Sequence, residues 1–178
     1  VVEIELQKQR SDFSEARLIR ILEEAPERIA PQENHFYCCS PWQILAPEKE
    51  AYWKRQIVLD TLQRQTVLCH SDLQVREKGP RLGYRNRLEF HFTQVKNRLR
   101  LALHEPASQN LIPVETCQLG LPTLQRASQE LILLLDDAQL RPKEMGRLVL
   151  RGNRNGQAVA LLQINTAAKQ RLTSHQRN

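Results

Sequence analysis

Four cysteines are the first candidates for chemistry in this 178-residue chain. Cys38 and Cys39 are adjacent in the stretch ENHFYCCSPWQIL, residues 33–45, and the others are Cys69 and Cys117. Structural zinc sites usually separate two cysteines by two to four residues, so that both thiolates can turn toward one ion. A disulfide between sequence neighbours is strained. The stretch by itself therefore leaves three roles open: metal ligands, a redox pair, or buried residues beside a turn.

A second candidate is the basic pattern of GYRNRLEFHF, residues 83–92, and of RLRLALHE, which follows it. Side chains alternate between the two faces of a strand, so the leucines and phenylalanines share one face and the basic residues the other. Guanidinium groups on a rigid face can bind phosphates bidentately, and a neighbouring tyrosine can stack on an unpaired base. Either a phosphate-binding face or an ordinary solvated face explains the pattern. The candidate binding residues are Tyr84, Arg85, Arg87, His91, Arg98 and Arg100, with His104 on the same face.

No catalytic set accompanies these residues in the sequence. It contains no Gly-rich phosphate loop, no HExxH and no Gly-x-Ser-x-Gly elbow. Cys69 and His70 are neighbours, but neighbouring side chains on a strand point to opposite faces, which argues against a nucleophile and base. Asp136 and Asp137 are predicted to form a solvated helix end. We therefore predict no catalytic residue in this chain.

The charge distribution points to a polyanionic partner. The net charge is +6, and residues 61–104 hold nine basic and three acidic side chains, against eight and eleven in residues 1–60. Local clustering of this kind favours phosphate attraction. No apolar run approaches the roughly 18 residues that suggest a membrane span, and no targeting segment is recognised. We expect a cytoplasmic protein with free thiols and no membrane partner.

Alternation and turn signals predict the elements that must position these residues. The predicted class is α+β, an antiparallel sheet with packed helices, because hairpins alternate with two helical segments. In the second helix, Leu124, Ala127, Leu131 and Leu134 are predicted to face the sheet. The predicted segments are strands in VVEIELQKQ and FSEARLIRIL, a helix from Pro47, a hairpin turned at 95–97, a short strand in LIPVETCQLG, a helix in 121–137, a hairpin turned at Asn155-Gly156, and a polar, helical end in TAAKQRLTSHQRN.

The order of these segments resembles the S-adenosylmethionine-dependent RNA uracil-5-methyltransferases, which include bacterial ribosomal and transfer RNA enzymes. EARLIRILEEAPERIAP resembles the last strand of the family's TRAM barrel, an OB-like RNA-binding fold, with its exit. HFYCCSPWQILAPEKEAYWKRQIVLDTL resembles its cysteine-rich segment and the helix behind it. YRNRLEFHF followed by VETCQL resembles its central domain. The resemblance covers nearly the whole chain.

This resemblance implies a partial TRAM (OB-like) β-hairpin in residues 1–24, a linker with the former cysteine-cluster segment in 25–46, and a central RNA-binding α+β domain in 47–178. The family's Rossmann-like catalytic domain, which binds S-adenosylmethionine, is expected to be absent, so the chain alone is predicted to be inactive. The implied partner is RNA, not DNA, and the TRAM-like hairpin favours ribosomal RNA over transfer RNA. The alternative is a stand-alone RNA-binding protein derived from the same family.

Many members of the family also hold a four-iron, four-sulfur cluster on a Cys-x5-Cys-x2-Cys pattern and a later cysteine. By this resemblance Cys117 falls on the position of the later cysteine and Glu33 on that of the leading cysteine. Tyr37 and Ser40 fall on the other two ligand positions, unless the alignment shifts so that Cys39 or Cys38 takes one of them. Such clusters normally take four thiolates. We therefore predict a cluster site converted to packing, with no cofactor bound by this chain. The vestigial positions are Cys38, Cys39 and Cys117.

Overall fold

The computed structural model describes residues 1–65, 79–165 and 169. The Cys69-His70 pair and most of the predicted C-terminal helix lie outside these residues. The described residues form two compact units, one from 1–31 with 42–65, and one from 32–41 with 79–165 and 169. The second unit thus includes the cysteine-rich segment up to residue 41, whereas the long helix after Pro47 groups with the first unit.

Strands and helices alternate along the chain, which confirms the predicted α+β class. No helix among the described residues is long and apolar enough to cross a lipid bilayer. In chain order the elements are β1 (Val2–Gln9), β2 (Ser14–Ile21), α1 (Phe36–Cys39), a 3-10 turn (Pro41–Ile44), α2 (Pro47–Gln65), β3 (Arg87–Val95), β4 (Arg98–His104), β5 (Leu111–Val114), α3 (Pro122–Asp137), a second 3-10 turn (Pro142–Glu144), β6 (Met145–Gly152) and β7 (Ala158–Ile164).

In the first unit, β1 and β2 form a two-stranded antiparallel sheet. The side chains of both strands are exposed almost throughout. Two strands alone are marginally stable in water, so the hairpin fits the prediction, while its membership of a barrel stays a prediction. Helix α2 begins at Pro47 as predicted, because proline lacks the N–H that the first turn of a helix leaves unbonded.

In the second unit, a five-stranded antiparallel sheet has the order β5-β4-β3-β6-β7. The β3–β4 turn passes through Lys96 and Asn97, both with positive φ (50° and 61°), as tight hairpins require. Gly156 turns β6 into β7 with φ 84°. Both hairpins match the sequence prediction. The pairing of β6 with β3, which joins the two hairpins into one sheet, was not predicted.

One face of this sheet forms the core. Phe90, Leu101, Leu148 and Leu150 are fully buried there, and Phe90 lies opposite Leu148 across β3 and β6. Helix α3 packs on this face through the same apolar cluster. Side chains alternate between the two faces of a strand, so the residues between the core positions form the opposite side of the sheet, which we call the outer face.

The face that α3 turns to the sheet agrees with the prediction at Leu124, which is buried, and at Leu131, which packs against the core, but not at Leu134. Leu134, predicted to face the sheet, is 58% exposed. The buried positions are Leu124, Ser128, Ile132 and Leu135, a spacing that also fits 3.6 residues per turn. Ser128 can occupy a core position because its hydroxyl group bonds Thr116 at 2.9 Å and the carbonyl of Gln125 at 2.7 Å. The prediction was based on apolar residues alone, so it did not include Ser128, a polar residue that is buried because its hydroxyl group is hydrogen-bonded.

The end of α3 also differs from expectation, since Asp136 is buried rather than solvated. Its Oδ1 accepts a 2.7 Å hydrogen bond from the Leu99 amide, and its Oδ2 lies 2.7 Å from Nε of Arg98. A buried carboxylate needs such partners, because an unpaired one is strongly disfavoured. The prediction of a solvated end was wrong for Asp136, which instead ties α3 to the start of β4.

Two leucine-to-alanine changes on the same helix test the observed face of α3. We expect Leu124→Ala to lower the free energy of unfolding by about 2–5 kcal/mol, because it opens a cavity in the core. Leu134→Ala should change it by less than about 0.5 kcal/mol, as exposed positions do. Chemical denaturation measures both values. Equal losses in the two variants would contradict the observed register.

Candidate functional site

Four donor residues from two separate segments of the second unit come together. Glu33, His35, Cys39 and Cys117 each offer one ligand atom, and these atoms all lie within 4.8 Å of one another. Glu33, His35 and Cys117 are buried, and Cys39 is half-buried. Glu33 and His35 precede the short helix α1, Cys39 is its last residue, and Cys117 follows β5. We call this group the donor cluster.

Hydrogen bonds fix the carboxylate of Glu33 at the centre of the donor cluster. Its Oε1 accepts a 2.5 Å hydrogen bond from the amide of Gln118, the residue after Cys117. Its Oε2 lies 3.6 Å from Sγ of Cys39, which donates to it. His35 Nε2 lies 3.1 Å from Glu33 Oε1, but this buried nitrogen makes no hydrogen bond of acceptable geometry. Glu33 thus links both segments.

Arg85 fastens the same two segments from outside the donor cluster. Its Nη2 donates a 2.9 Å hydrogen bond to the carbonyl of Cys39. Its amide donates to Leu119 at 2.7 Å, and its carbonyl accepts from Leu121 at 2.9 Å. Both leucines follow Cys117 closely. Arg85, predicted to bind RNA, is therefore placed where it positions the donor cluster.

The neighbours in the donor cluster change one another's proton affinity. Burial opposes protonation of His35, yet the nearby Cys117 and Glu33 favour its charged form and raise its pKa to about 9. The hydrogen bond with Cys39 lowers the pKa of the Cys117 thiol to about 5, against the effect of burial. The same hydrogen bond, with burial, raises the pKa of Cys39. The lowered pKa favours the thiolate of Cys117, the form that binds metals.

The structure separates the two adjacent cysteines. Cys38 is not in the donor cluster; it lines a surface pocket with residues 104–109, and burial raises its pKa. Cys39 alone reaches Cys117. Glu33 and Cys39 have five residues between them, which is the Cys-x5-Cys spacing and favours the alternative alignment, in which Cys39 takes the second ligand position in place of Tyr37.

The outer face of the sheet gathers basic side chains from three strands. Arg87 of β3 lies directly opposite Arg151 of β6. Arg87 and Arg147 both pair with Glu89, the latter at 2.9 Å. Arg100 of β4 lies opposite Thr93. Arg147 and Arg151 were missed by sequence reasoning, although the alternation in GRLVLRG signals a basic face, because the pairing of β6 with β3 is not local.

The other predicted RNA-binding residues occupy different surroundings. Arg98 reaches Asp136 on the helix side of the sheet. His91 and His104 pack edge to face, with ring centroids 4.3 Å apart, and burial lowers the pKa of His91, with His104 acting in the same direction. Tyr84 is 49% exposed, with the guanidinium carbon of Arg85 6.0 Å from its ring centroid. Only Arg87 and Arg100 of the predicted arginines lie with the basic group on the outer face.

The sequence is similar to curated RNA methyltransferases. It is 26% identical over 152 residues to the 23S rRNA (uracil(1939)-C(5))-methyltransferase RlmD of Photorhabdus laumondii, a match that covers 83% of this chain and 34% of the relative. It is 30% identical over 128 residues to RlmD of a Marinomonas species, covering 70% of this chain and 28% of the relative. The chain is a relative of the RNA uracil-C5-methyltransferases. The family resemblance of the sequence motifs is thereby confirmed.

A solved structure shares the fold. The tRNA (uracil-54, C5)-methyltransferase of Pyrococcus abyssi, solved with S-adenosyl-L-homocysteine, matches 91% of this chain and 38% of its own with a TM-score of 0.58 and 15% identity. At that identity the match shows the fold alone. No protein-family model matches the chain. The chain spans about a third of the length of the curated relatives that it matches.

The four-iron, four-sulfur cluster that the family resemblance implies does not fit the donor cluster. Such clusters are normally held by four cysteine thiolates, whereas the donors here are two sulfurs, one imidazole and one carboxylate. A cubic cluster also holds its ligands apart around the outside of the cube, and these donor atoms are already within 4.8 Å of one another. The iron-sulfur cluster of the family therefore receives no support from this site.

Proposed function

We propose that this chain is the RNA-recognition portion of an S-adenosylmethionine-dependent RNA (uracil-C5)-methyltransferase, and that its RNA is ribosomal. The observation that carries the proposal is the basic group on the outer face of the five-stranded sheet. The names of the two RlmD relatives favour 23S rRNA as the substrate. We infer that the outer face holds the RNA backbone.

The strand register makes the outer face suited to phosphate. Like charges directly opposite on neighbouring strands destabilise a sheet, and Arg87 lies opposite Arg151. Among the described residues, Glu89 pairs with both Arg87 and Arg147, so one of their two positive charges stays unbalanced, while Arg151 has no ion pair. A phosphate between the arginines would relieve the repulsion and accept bidentate hydrogen bonds. Rigid strands hold these guanidinium groups at fixed spacing.

Each predicted RNA-binding residue receives a role in this proposal. Arg87 and Arg100, joined by Arg147 and Arg151, contact phosphates. Tyr84 is exposed and stacks on an unpaired base, as aromatic side chains do in single-stranded RNA recognition. The remaining predicted residues position these groups: Arg85 through the donor cluster, Arg98 through Asp136, and His91 through its packing on His104.

Methyl transfer is assigned to a catalytic domain outside these residues. A Rossmann-like domain is built on a mostly parallel sheet, whereas the described sheets are antiparallel. On this proposal the chain alone binds RNA without methylating it. The alternative is a stand-alone RNA-binding protein derived from the family. A reading frame that continues into a methyltransferase domain, and methylation of 23S rRNA by its product, would favour the first function over the second.

The test is RNA affinity measured against salt concentration with the 178-residue chain. Binding should weaken steeply with salt, and Arg151→Ala should lower the log–log slope by about 0.7–0.9, the value for one phosphate contact. Arg126→Ala removes the same charge from an exposed position on α3, across the sheet from the outer face, and should leave the slope unchanged. Equal slopes for wild type and Arg151→Ala would refute the assignment of the outer face. No measurable RNA binding would refute the proposed function.

A further inference from the structure

We propose that Glu33, His35, Cys39 and Cys117 form a binding site for a single divalent transition-metal ion, with Zn²⁺ as the matching cation. This site goes beyond the proposed RNA-recognition function and does not depend on it. It also replaces the conclusion that the cysteines serve only in packing. The ion would join two segments of the second unit: residues 33–39, which end with α1, and the segment around Cys117, which follows β5.

The donor atoms lie near the spacing that a tetrahedral ion requires, and the Glu33 carboxylate approaches His35 and Cys39 through different oxygens. Zinc bonds to oxygen and nitrogen are about 2.1 Å and to sulfur about 2.3 Å, so neighbouring ligands lie roughly 3.4–3.8 Å apart around a tetrahedron. Glu33 Oε1 and His35 Nε2 are 3.1 Å apart, and Glu33 Oε2 and Cys39 Sγ are 3.6 Å apart. The whole set lies within 4.8 Å. Shifts of about 1 Å or less would complete the coordination.

A buried nitrogen provides independent support for a ligand. His35 is 9% exposed, and its Nε2 lies in the donor cluster without a satisfactory hydrogen bond. A buried polar atom left in this state costs roughly 1–3 kcal/mol, and native proteins rarely retain one without a reason. A metal ion at the centre of the donor cluster would displace the proton of this imidazole into solvent and accept the freed lone pair of the nitrogen.

The surrounding contacts are those that metal sites use to orient their ligands. The Gln118 amide donates to the Glu33 carboxylate at 2.5 Å, and Arg85 holds the carbonyl of Cys39 at 2.9 Å. Outer partners of this kind fix the direction of ligating groups. Two sulfurs with an imidazole and a carboxylate are donors that zinc takes in proteins, and a closed set of four protein ligands is typical of a structural site.

The experiment measures metal binding by the untagged 178-residue chain. Metal is removed with a chelator under reducing conditions, and Zn²⁺ is then titrated in competition with a chromophoric chelator. We expect one Zn²⁺ per chain. Cys39→Ala and Cys117→Ala should each weaken binding by more than the roughly 10- to 100-fold that loss of an outer partner causes. Cys38→Ala, which removes the neighbouring thiol outside the donor cluster, should bind as wild type does.

Cobalt substitution of the wild-type chain keeps the proposal testable if the cysteine variants fail to fold. Bound Co²⁺ should show thiolate-to-metal charge transfer and the intense visible bands of tetrahedral coordination, and both should survive in Cys38→Ala. Octahedral cobalt spectra, iron with sulfide in the purified chain, or Zn²⁺ affinity that is the same in wild type and Cys117→Ala would each overturn the site. A disulfide between Cys39 and Cys117 that forms equally fast with and without Zn²⁺ would also overturn it.

Discussion

Replacing Arg100, Arg147 and Arg151 together with alanine is expected to weaken RNA binding about 100-fold at low salt, because each exposed phosphate contact contributes on the order of 1 kcal/mol. The three side chains lie on the outer face of β4 and β6, away from the core. The salt dependence should also flatten, by roughly 2–3 units of log–log slope for three lost contacts. Fluorescence anisotropy with a 23S rRNA fragment over a range of salt concentrations measures both effects.

The control for this variant removes the same charge elsewhere. Arg126, Arg141 and Lys143 are exposed and lie outside the strands of the sheet. Their joint replacement with alanine lowers the net charge equally, so a loss caused only by long-range attraction would appear in both variants. A 100-fold loss confined to the outer-face variant supports specific contacts. Equal losses in the two variants would contradict the assigned face.

Strand parity and turn chemistry made the two hairpins of the second unit predictable. Lys96-Asn97 and Asn155-Gly156 are local signals, and the alternation of Leu88, Phe90 and Phe92 with polar residues specifies which side is buried. The pairing of β3 with β6 is not encoded in any short stretch. As a result, the sequence indicated Arg87 and Arg100 but not their neighbours on β6.

The errors have a common cause, which is a polar side chain satisfied by a distant partner. Ser128 is buried because its hydroxyl group bonds that of Thr116, and Asp136 is buried because its carboxylate accepts a hydrogen bond from the Leu99 amide. No periodicity in the sequence reveals such bonds. Arg85 and Arg98 were assigned to the RNA-binding face for the same reason, although Arg85 bonds the carbonyl of Cys39 and Arg98 pairs with Asp136. Hydrogen-bond partners far apart in sequence decide where a polar residue lies, and only the folded chain brings them together.

Only part of the donor cluster could be predicted from the sequence. The family resemblance directed attention to Glu33, Cys39 and Cys117, but it treated Glu33 as a lost ligand rather than a present one. His35 was overlooked, since a single histidine near two cysteines lacks the spacing of a known zinc motif. Its role emerges from burial and from the 3.1 Å approach of Nε2 to Glu33 Oε1, which are properties of the fold.

Removal of metal from the chain is expected to lower the free energy of unfolding of the second unit by about 4 kcal/mol. The comparison is between the metal-free chain and the chain in free Zn²⁺ at about 1,000 times the dissociation constant. The ion binds only the folded arrangement, because the segment around Cys39 and the segment around Cys117 are far apart in the unfolded chain. For a unit of about 100 residues this corresponds to a fall in Tm on the order of 20 °C. Differential scanning calorimetry of the metal-free and zinc-loaded chains measures it.

Variants at the donor cluster separate this effect from nonspecific action of the chelator. Cys117→Ala should show the same Tm with and without Zn²⁺, since it has lost a ligand, whereas Cys38→Ala should keep the full difference. Cys117 is 2% exposed and packs in the core cluster, so its alanine variant will also melt somewhat lower in both states. The decisive quantity is therefore the zinc-dependent difference in Tm within each variant. If that difference is absent from the wild-type chain, the donor cluster is a hydrogen-bonded part of the core and not a metal centre.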